Sequence, residues 1–148
     1  MFKINKLTDY ALAVLGILHQ ARTLEVPLSA SAIASRLHLG IETVRKVLKM
    51  LVEPGYVASQ RGAEGGYRLA CDVAALSLRD FITALEGAPA TTSCVLGEQH
   101  CAQHAYCGLS DAWGQVNGAL LKVLDGFSVQ SVLEVPSCMA LCGKKESV

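Results

Sequence analysis

The chain has 148 residues, 51% of them hydrophobic and 18% charged, which is enough apolar material for one buried core and too little charge for a disordered chain. Its 13 Lys and Arg balance 13 Asp and Glu, so overall composition alone excludes a polyanion-binding argument. The longest apolar run, Ala11 to Leu18, is too short to span a bilayer, and Met1 to Lys6 leads into no signal-peptide core, so a cytoplasmic protein without a membrane partner is expected.

Thr8 and Asp9 stand where an N-cap would be, ahead of Tyr10 to Leu18, a strongly apolar first helix. A linker ends at Pro27, and Ser29 or Ser31 then caps a second helix through Ile33 and Leu37. His38-Leu39-Gly40 makes a short turn into a third helix, where Val44, Val47, Leu48 and Leu51 fall at i, i+3, i+4 and i+7 as one apolar stripe. Glu42, Thr43, Arg45, Lys46 and Lys49 are left on its other side, and Pro54-Gly55 stops it. Two strand-like runs, 56–60 and 67–70, flank a glycine-rich tip from Arg61 to Gly66.

Ser77, with Asp80 three residues on, predicts a capping box that opens a helix carrying Leu78, Phe81, Ile82 and Leu85 on one face. Gly87 is placed to end it. A polar loop spans 88–108. Beyond it Leu109, Ala112, Trp113, Val116, Ala119, Leu120, Val123 and Leu124 form a wide apolar stripe on a helix expected from Ser110 to Asp125, stopped by Gly126. A short amphipathic piece, Ser128 to Val135, and a polar tail follow.

The order helix, turn, helix, glycine-tipped hairpin is that of a winged helix-turn-helix, whose second helix enters the major groove while the wing reaches a neighbouring groove or the backbone. Thr43, Arg45, Lys46 and Lys49 are the candidate contacts on that helix, with Arg45 suited to a guanine edge and the lysines to phosphates. Arg61 at the wing tip suits a narrow minor groove. The bland alternative is a solvated helix face. The basic wing and the distribution of charge weigh against it: residues 1–70 carry nine Lys and Arg against five Asp and Glu, whereas residues 71–148 carry four against eight. No acid–base constellation is evident, and the glycines at 62, 65 and 66 open no helix as a nucleotide loop would, so an enzyme is not expected.

Cys94, Cys101 and Cys107 punctuate the polar loop, where packing explains them poorly because a buried structural cysteine usually stands alone on an apolar face. In a reducing compartment they point to metal or redox chemistry rather than disulfides. Six and five intervening residues are wider than a zinc knuckle allows, and thiolates in a loop suit an iron–sulfur cluster; three unrelated free thiols are the alternative. His100 and His104 are expected to be solvated loop histidines, and Cys71 a packing residue. Cys138 and Cys142, four apart near the end of the chain, are as well explained as exposed thiols.

Leu7-Thr-Asp-Tyr-Ala11, Arg61-Gly-Ala-Glu-Gly-Gly-Tyr67, Leu85-Glu-Gly87 and the three loop cysteines together resemble the IscR- and NsrR-type winged-helix regulators, the Rrf-two family, over residues 1–135. Within it the chain is most similar to regulators of the SUF iron–sulfur assembly system, which share the wide cysteine spacing and a run like Cys107-Gly to Trp113. The resemblance implies a mainly α fold with a small β-hairpin wing, and a homodimer formed through the helix at 110–125. It implies a double-stranded DNA operator as partner and a [2Fe–2S] or [4Fe–4S] cluster on Cys94, Cys101 and Cys107. IscR-type members place a histidine ligand where this chain has Ser110. NsrR-type members use an N-terminal aspartate of the partner subunit, and Asp9 stands in that place.

The expected organisation is a winged helix-turn-helix over 1–75, a linking helix and cysteine loop over 76–108, a dimerisation helix and short terminal helix over 109–135, and a polar tail over 136–148. The expected function is a DNA-binding transcriptional regulator that senses an iron–sulfur cluster and controls iron–sulfur assembly genes. The alternative is a cluster-free regulator that answers to thiol oxidation or to a protein partner on its acidic half.

Overall fold

A computed structural model describes residues 3–24, 26–62, 65–97 and 100–134; Cys138, Cys142 and the expected polar tail lie outside the described residues. The elements run α1 (Lys6–Ala21), α2 (Ala30–Leu37), α3 (Ile41–Val52), β1 (Val57–Gln60), β2 (Gly66–Leu69), α4 (Leu78–Glu86), α5 (Ser110–Asp125) and α6 (Val129–Leu133). This is a mainly helical winged helix-turn-helix, as the order of elements in the sequence indicates.

α1 is the central helix. Ala11, Val14, Leu15, Ile17 and Leu18 are buried on it and meet the α3 stripe of Val44, Val47, Leu48 and Leu51, which is wholly buried. Each Val, Leu or Ile among them contributes about 1.5–3 kcal/mol when taken from water. The same core continues through Val57, Val73, Phe81 and Ile82 to Leu124, Val129 and Leu133, so α6 closes back on α1. Gly16 makes room for it, because a Cβ there would lie 3.3 Å from the Leu133 side chain.

The start of α1 corrects the sequence expectation. Asn5, not Thr8 or Asp9, is the N-cap, its side chain accepting the Leu7 N–H at 3.1 Å. Three cap-type residues compete along this stretch, and tertiary contacts choose among them. The Asn5 N–H donates to Glu86 at the end of α4 at 2.7 Å, while Thr8 is fully buried and must lie inside the helix. Asp9 is therefore an exposed first-turn residue rather than a cap. Elsewhere Ser29 caps α2, Ser77 caps α4 through the Asp80 N–H, and Ser128 caps α6.

The wing is an antiparallel pair with Val57 opposite Leu69 and Gln60 opposite Gly66. Leu28 adds a third strand at one point, exchanging both backbone hydrogen bonds with Tyr67 at 3.0 and 2.8 Å. That approach demands glycine at 66, and the turn of the wing itself demands glycine at 65. A Cβ on Gly66 would lie 2.6 Å from the Leu28 carbonyl oxygen, and one on Gly65 would lie 2.5 Å from that of Gln60.

Gly66→Ala is expected to cost about 1–3 kcal/mol, because backbone atoms on both sides must shift to admit one methyl group. Thermal unfolding checks this, and an unchanged midpoint would mean that the Leu28 bridge is dispensable.

Candidate functional site

Two places hold most of the residues singled out by the sequence, the exposed side of α3 with the wing and the loop between α4 and α5, while Asp9 lies apart on α1. On α3 the apolar stripe faces α1, which turns Glu42, Arg45, Lys46 and Lys49 to solvent and leaves Thr43 half-buried. Arg45 is not free: its guanidinium meets the Glu42 carboxylate at 2.7 Å. With those side chains 58% and 80% exposed, the pair is weak and readily exchanged for another acceptor. Arg61 is exposed at the end of β1, and Arg68, absent from the sequence candidates, is exposed on β2. The described residues thus present cations on one helix and on the wing that follows it.

The loop begins at Gly87, whose φ of 88° suits glycine, and ends at Ser110. Cys94, Cys101 and Cys107 are free, half-buried thiols. Each opens a tight turn, its carbonyl accepting from the amide three residues on: Gly97 at 3.3 Å, His104 at 3.1 Å and Ser110 at 3.4 Å. The Thr92 hydroxyl and the Cys94 sulfur are 2.8 Å apart, within hydrogen-bonding distance. His100 is exposed and His104 half-buried.

The structure does not gather these donors. Among the described residues no group of three or more His, Cys, Asp or Glu stands close enough to share a metal ion. Asp9 lies on α1, lining a surface hollow with Lys3, Asn5, Lys6 and Glu86, and makes no ion pair among the described residues. The donor chemistry still fits a soft metal centre, since three accessible thiols on one loop are sulfur ligands of the right kind. Among the described residues between Cys94 and Cys107 the backbone bonds are local turns, which a metal could regroup at small cost.

Ser110, in the place of a histidine ligand, has another bond: its hydroxyl donates to the Cys107 carbonyl at 3.2 Å. Cys71 packs against the core, as its place beside a strand indicates. Burial raises its thiol pKa above the ordinary range, outweighing a backbone hydrogen bond that lowers it, and the Asp72 carboxylate adds to the rise, so Cys71 resists becoming a thiolate. Burial, followed by the charges of Asp80 and Cys71, likewise raises Tyr56, whose ring meets Phe81 with centroids 5.9 Å apart.

Sequence reasoning missed Asn117. It lies on the buried side of α5, 4% exposed, where its side chain accepts the Thr91 N–H at 2.9 Å and donates to the Pro89 carbonyl at 3.3 Å. Its signal was a polar residue seven before Leu124, and so on the same side of the helix as an apolar-stripe residue. The wide α5 stripe divides in the fold. Leu124 is buried and Leu120 half-buried, while Leu109, Trp113, Val116 and Val123 are 61%, 39%, 50% and 58% exposed.

A winged helix-turn-helix with a basic second helix and wing belongs to the DNA-binding class. Residues 4–135 match the Rrf2 family, described as iron-dependent transcriptional regulators, and the chain belongs to that family. It is similar to the HTH-type transcriptional regulator NsrR of Bacillus licheniformis, 30% identical over 132 residues, covering 88% of this chain and 92% of that one. Two solved structures share the fold. T. potens IscR is 26% identical with a TM-score of 0.65, over 89% of this chain and 86% of that one. CymR (YrzC), the global cysteine regulator of B. subtilis, is 28% identical with a TM-score of 0.67, over 90% and 97%. Family membership makes this chain a DNA-binding transcriptional regulator and not an enzyme. No helix among the described residues is long and apolar enough to cross a membrane.

Proposed function

We propose that the protein is a homodimeric regulator of a double-stranded operator whose DNA affinity depends on an iron–sulfur cluster held by Cys94, Cys101 and Cys107. The observation that carries this is the loop itself: three free, half-buried thiols, each opening a turn of the same kind, on a segment whose backbone hydrogen bonds among the described residues are those of local turns. The likeness to NsrR and IscR supports it. When bound, the cluster would supply a redox- and ligand-sensitive centre. Asp9 is the candidate fourth ligand, reaching the partner's loop from the exposed first turn of α1. The exposed part of the α5 stripe is the candidate dimer surface, since one copy leaves Trp113, Val116 and Val123 in water. Iron–sulfur assembly genes are the target the sequence resemblance favours.

On the DNA side, Thr43, Arg45, Lys46 and Lys49 of α3 would occupy the major groove and Arg61 the neighbouring groove or backbone. A second reading, a cluster-free regulator answering through its thiols, is favoured by the dispersed cysteines and the likeness to CymR.

Anaerobically purified protein is expected to absorb in the visible and to contain iron and sulfide. Cys94→Ala, Cys101→Ala and Cys107→Ala should each lose the chromophore, whereas Cys71→Ala keeps it. Colourless, metal-free protein would leave the second reading in place, and full retention by any one loop variant removes that cysteine from the site.

The two arginines are expected to differ. Arg61→Ala lowers the log–log salt slope of operator binding by about 0.9, the loss of one B-DNA phosphate contact. Arg45→Ala costs about 1–3 kcal/mol on the preferred site and relaxes discrimination at one base pair. An equal loss on specific and random DNA would make Arg45 a phosphate contact.

A further inference from the structure

Two polar side chains are buried among the described residues, and they differ sharply. The Thr8 hydroxyl has no hydrogen-bond partner among the described residues, whereas Asn117 has both ends of its carboxamide occupied by loop backbone. A buried amide left unpaired is costly, so position 117 holds an asparagine only while the segment at 89–91 stays in place. The next residue, Thr92, sits with its hydroxyl 2.8 Å from the Cys94 sulfur. At the loop's far end Ser110 binds the Cys107 carbonyl through both its hydroxyl, at 3.2 Å, and its N–H, at 3.4 Å. Ser110 and Asn117 are seven residues apart, two helical turns, and so share one side of α5. The cysteine segment is thereby pinned at both ends to one face of one helix.

We propose that Asn117 is a positioning residue for the cysteine site: it fixes residues 89–92, and through Thr92 the Cys94 sulfur, to the helix whose adjoining stripe is left open to solvent. Only the metal-bound form of this statement rests on the cluster reading; the placement of Cys94 in the metal-free protein does not. The arrangement also gives a route for coupling. Any rearrangement of the loop is delivered to α5 at position 117, beside the exposed Val116.

The test begins with hydrogen exchange of the unaltered protein, in which the Thr91 amide should be protected. Asn117→Leu keeps the side-chain shape and removes both bonds, and Gln115→Leu makes a similar change at an exposed position of the same helix. In metal-free protein, Asn117→Leu should speed alkylation of Cys94 by about tenfold, the scale of two modest hydrogen bonds lost, and leave Cys71 unchanged; Gln115→Leu should alter neither. If the unaltered protein carries a visible chromophore, Asn117→Leu should shift its spectrum and hasten iron release. If it is colourless, the cluster reading fails while the exchange and alkylation results still decide this one. An unprotected Thr91 amide, an unchanged Cys94 rate, or equal acceleration at Cys71 would overturn the assignment. Should Asn117→Leu fail to fold, the exchange result on the unaltered protein decides alone.

Discussion

The arrangement of the C-terminal half depends on one tie. The chain leaving α5 is hydrogen-bonded to the chain entering α4: Leu78 N–H to Phe127 O at 2.8 Å, Val129 N–H to Leu76 O at 2.8 Å, and Gln130 N–H to Val73 O at 2.9 Å. Arg79 and Asp125 add an ion pair at 2.8 Å. This makes α4 and α5 a helical hairpin with a fixed base, and the hairpin is unequal. Nine residues of α4 rise about 13 Å and sixteen of α5 about 24 Å, so two turns of α5 stand beyond the end of α4. Counted from the tie, Asn117 is level with the end of α4, where the loop begins. The loop has to climb the overhang from there to Ser110, and this is the stretch that carries the three cysteines.

The overhang explains why one helix carries two kinds of surface. On the side facing the loop it offers Asn117 and Ser110; on another it leaves Trp113 and Val116 exposed among the described residues. The DNA-binding half is joined to this lever through the shared core. Leu133 and Val129 of α6 pack with α1, and α1 in turn supports the buried stripe of α3. A change at the loop therefore has a continuous packed path toward the exposed cations of α3.

Most of the fold was legible because hydrophobic period fixes which face of a helix is buried. The four α3 positions and the bounds of α5 follow directly from spacing and from Gly126. What was not legible depended on contacts between distant segments. Three cap-type residues near the start of α1 could not be ranked until Glu86 was seen to hold Asn5. The pairing of Leu28 with Tyr67 followed from no local pattern; the glycines at 65 and 66 signalled a turn, and the second role of Gly66, admitting the Leu28 backbone, emerged only in the fold. For the site, spacing placed three thiols on one loop but said nothing of their separation in space, and the structure leaves them apart. Asn117 was hidden because a lone polar residue beside an apolar stripe looks like the edge of that stripe.

The central claim is that occupancy of the cysteine loop sets DNA affinity. It is tested most directly by selecting an operator from random DNA with anaerobically purified protein, then titrating that operator by fluorescence anisotropy with the same preparation before and after metal removal. The two affinities should differ by about fivefold or more, the scale of ordinary allosteric coupling, with both forms still folded. Equal affinities for metal-loaded and stripped protein at the same salt concentration would contradict it.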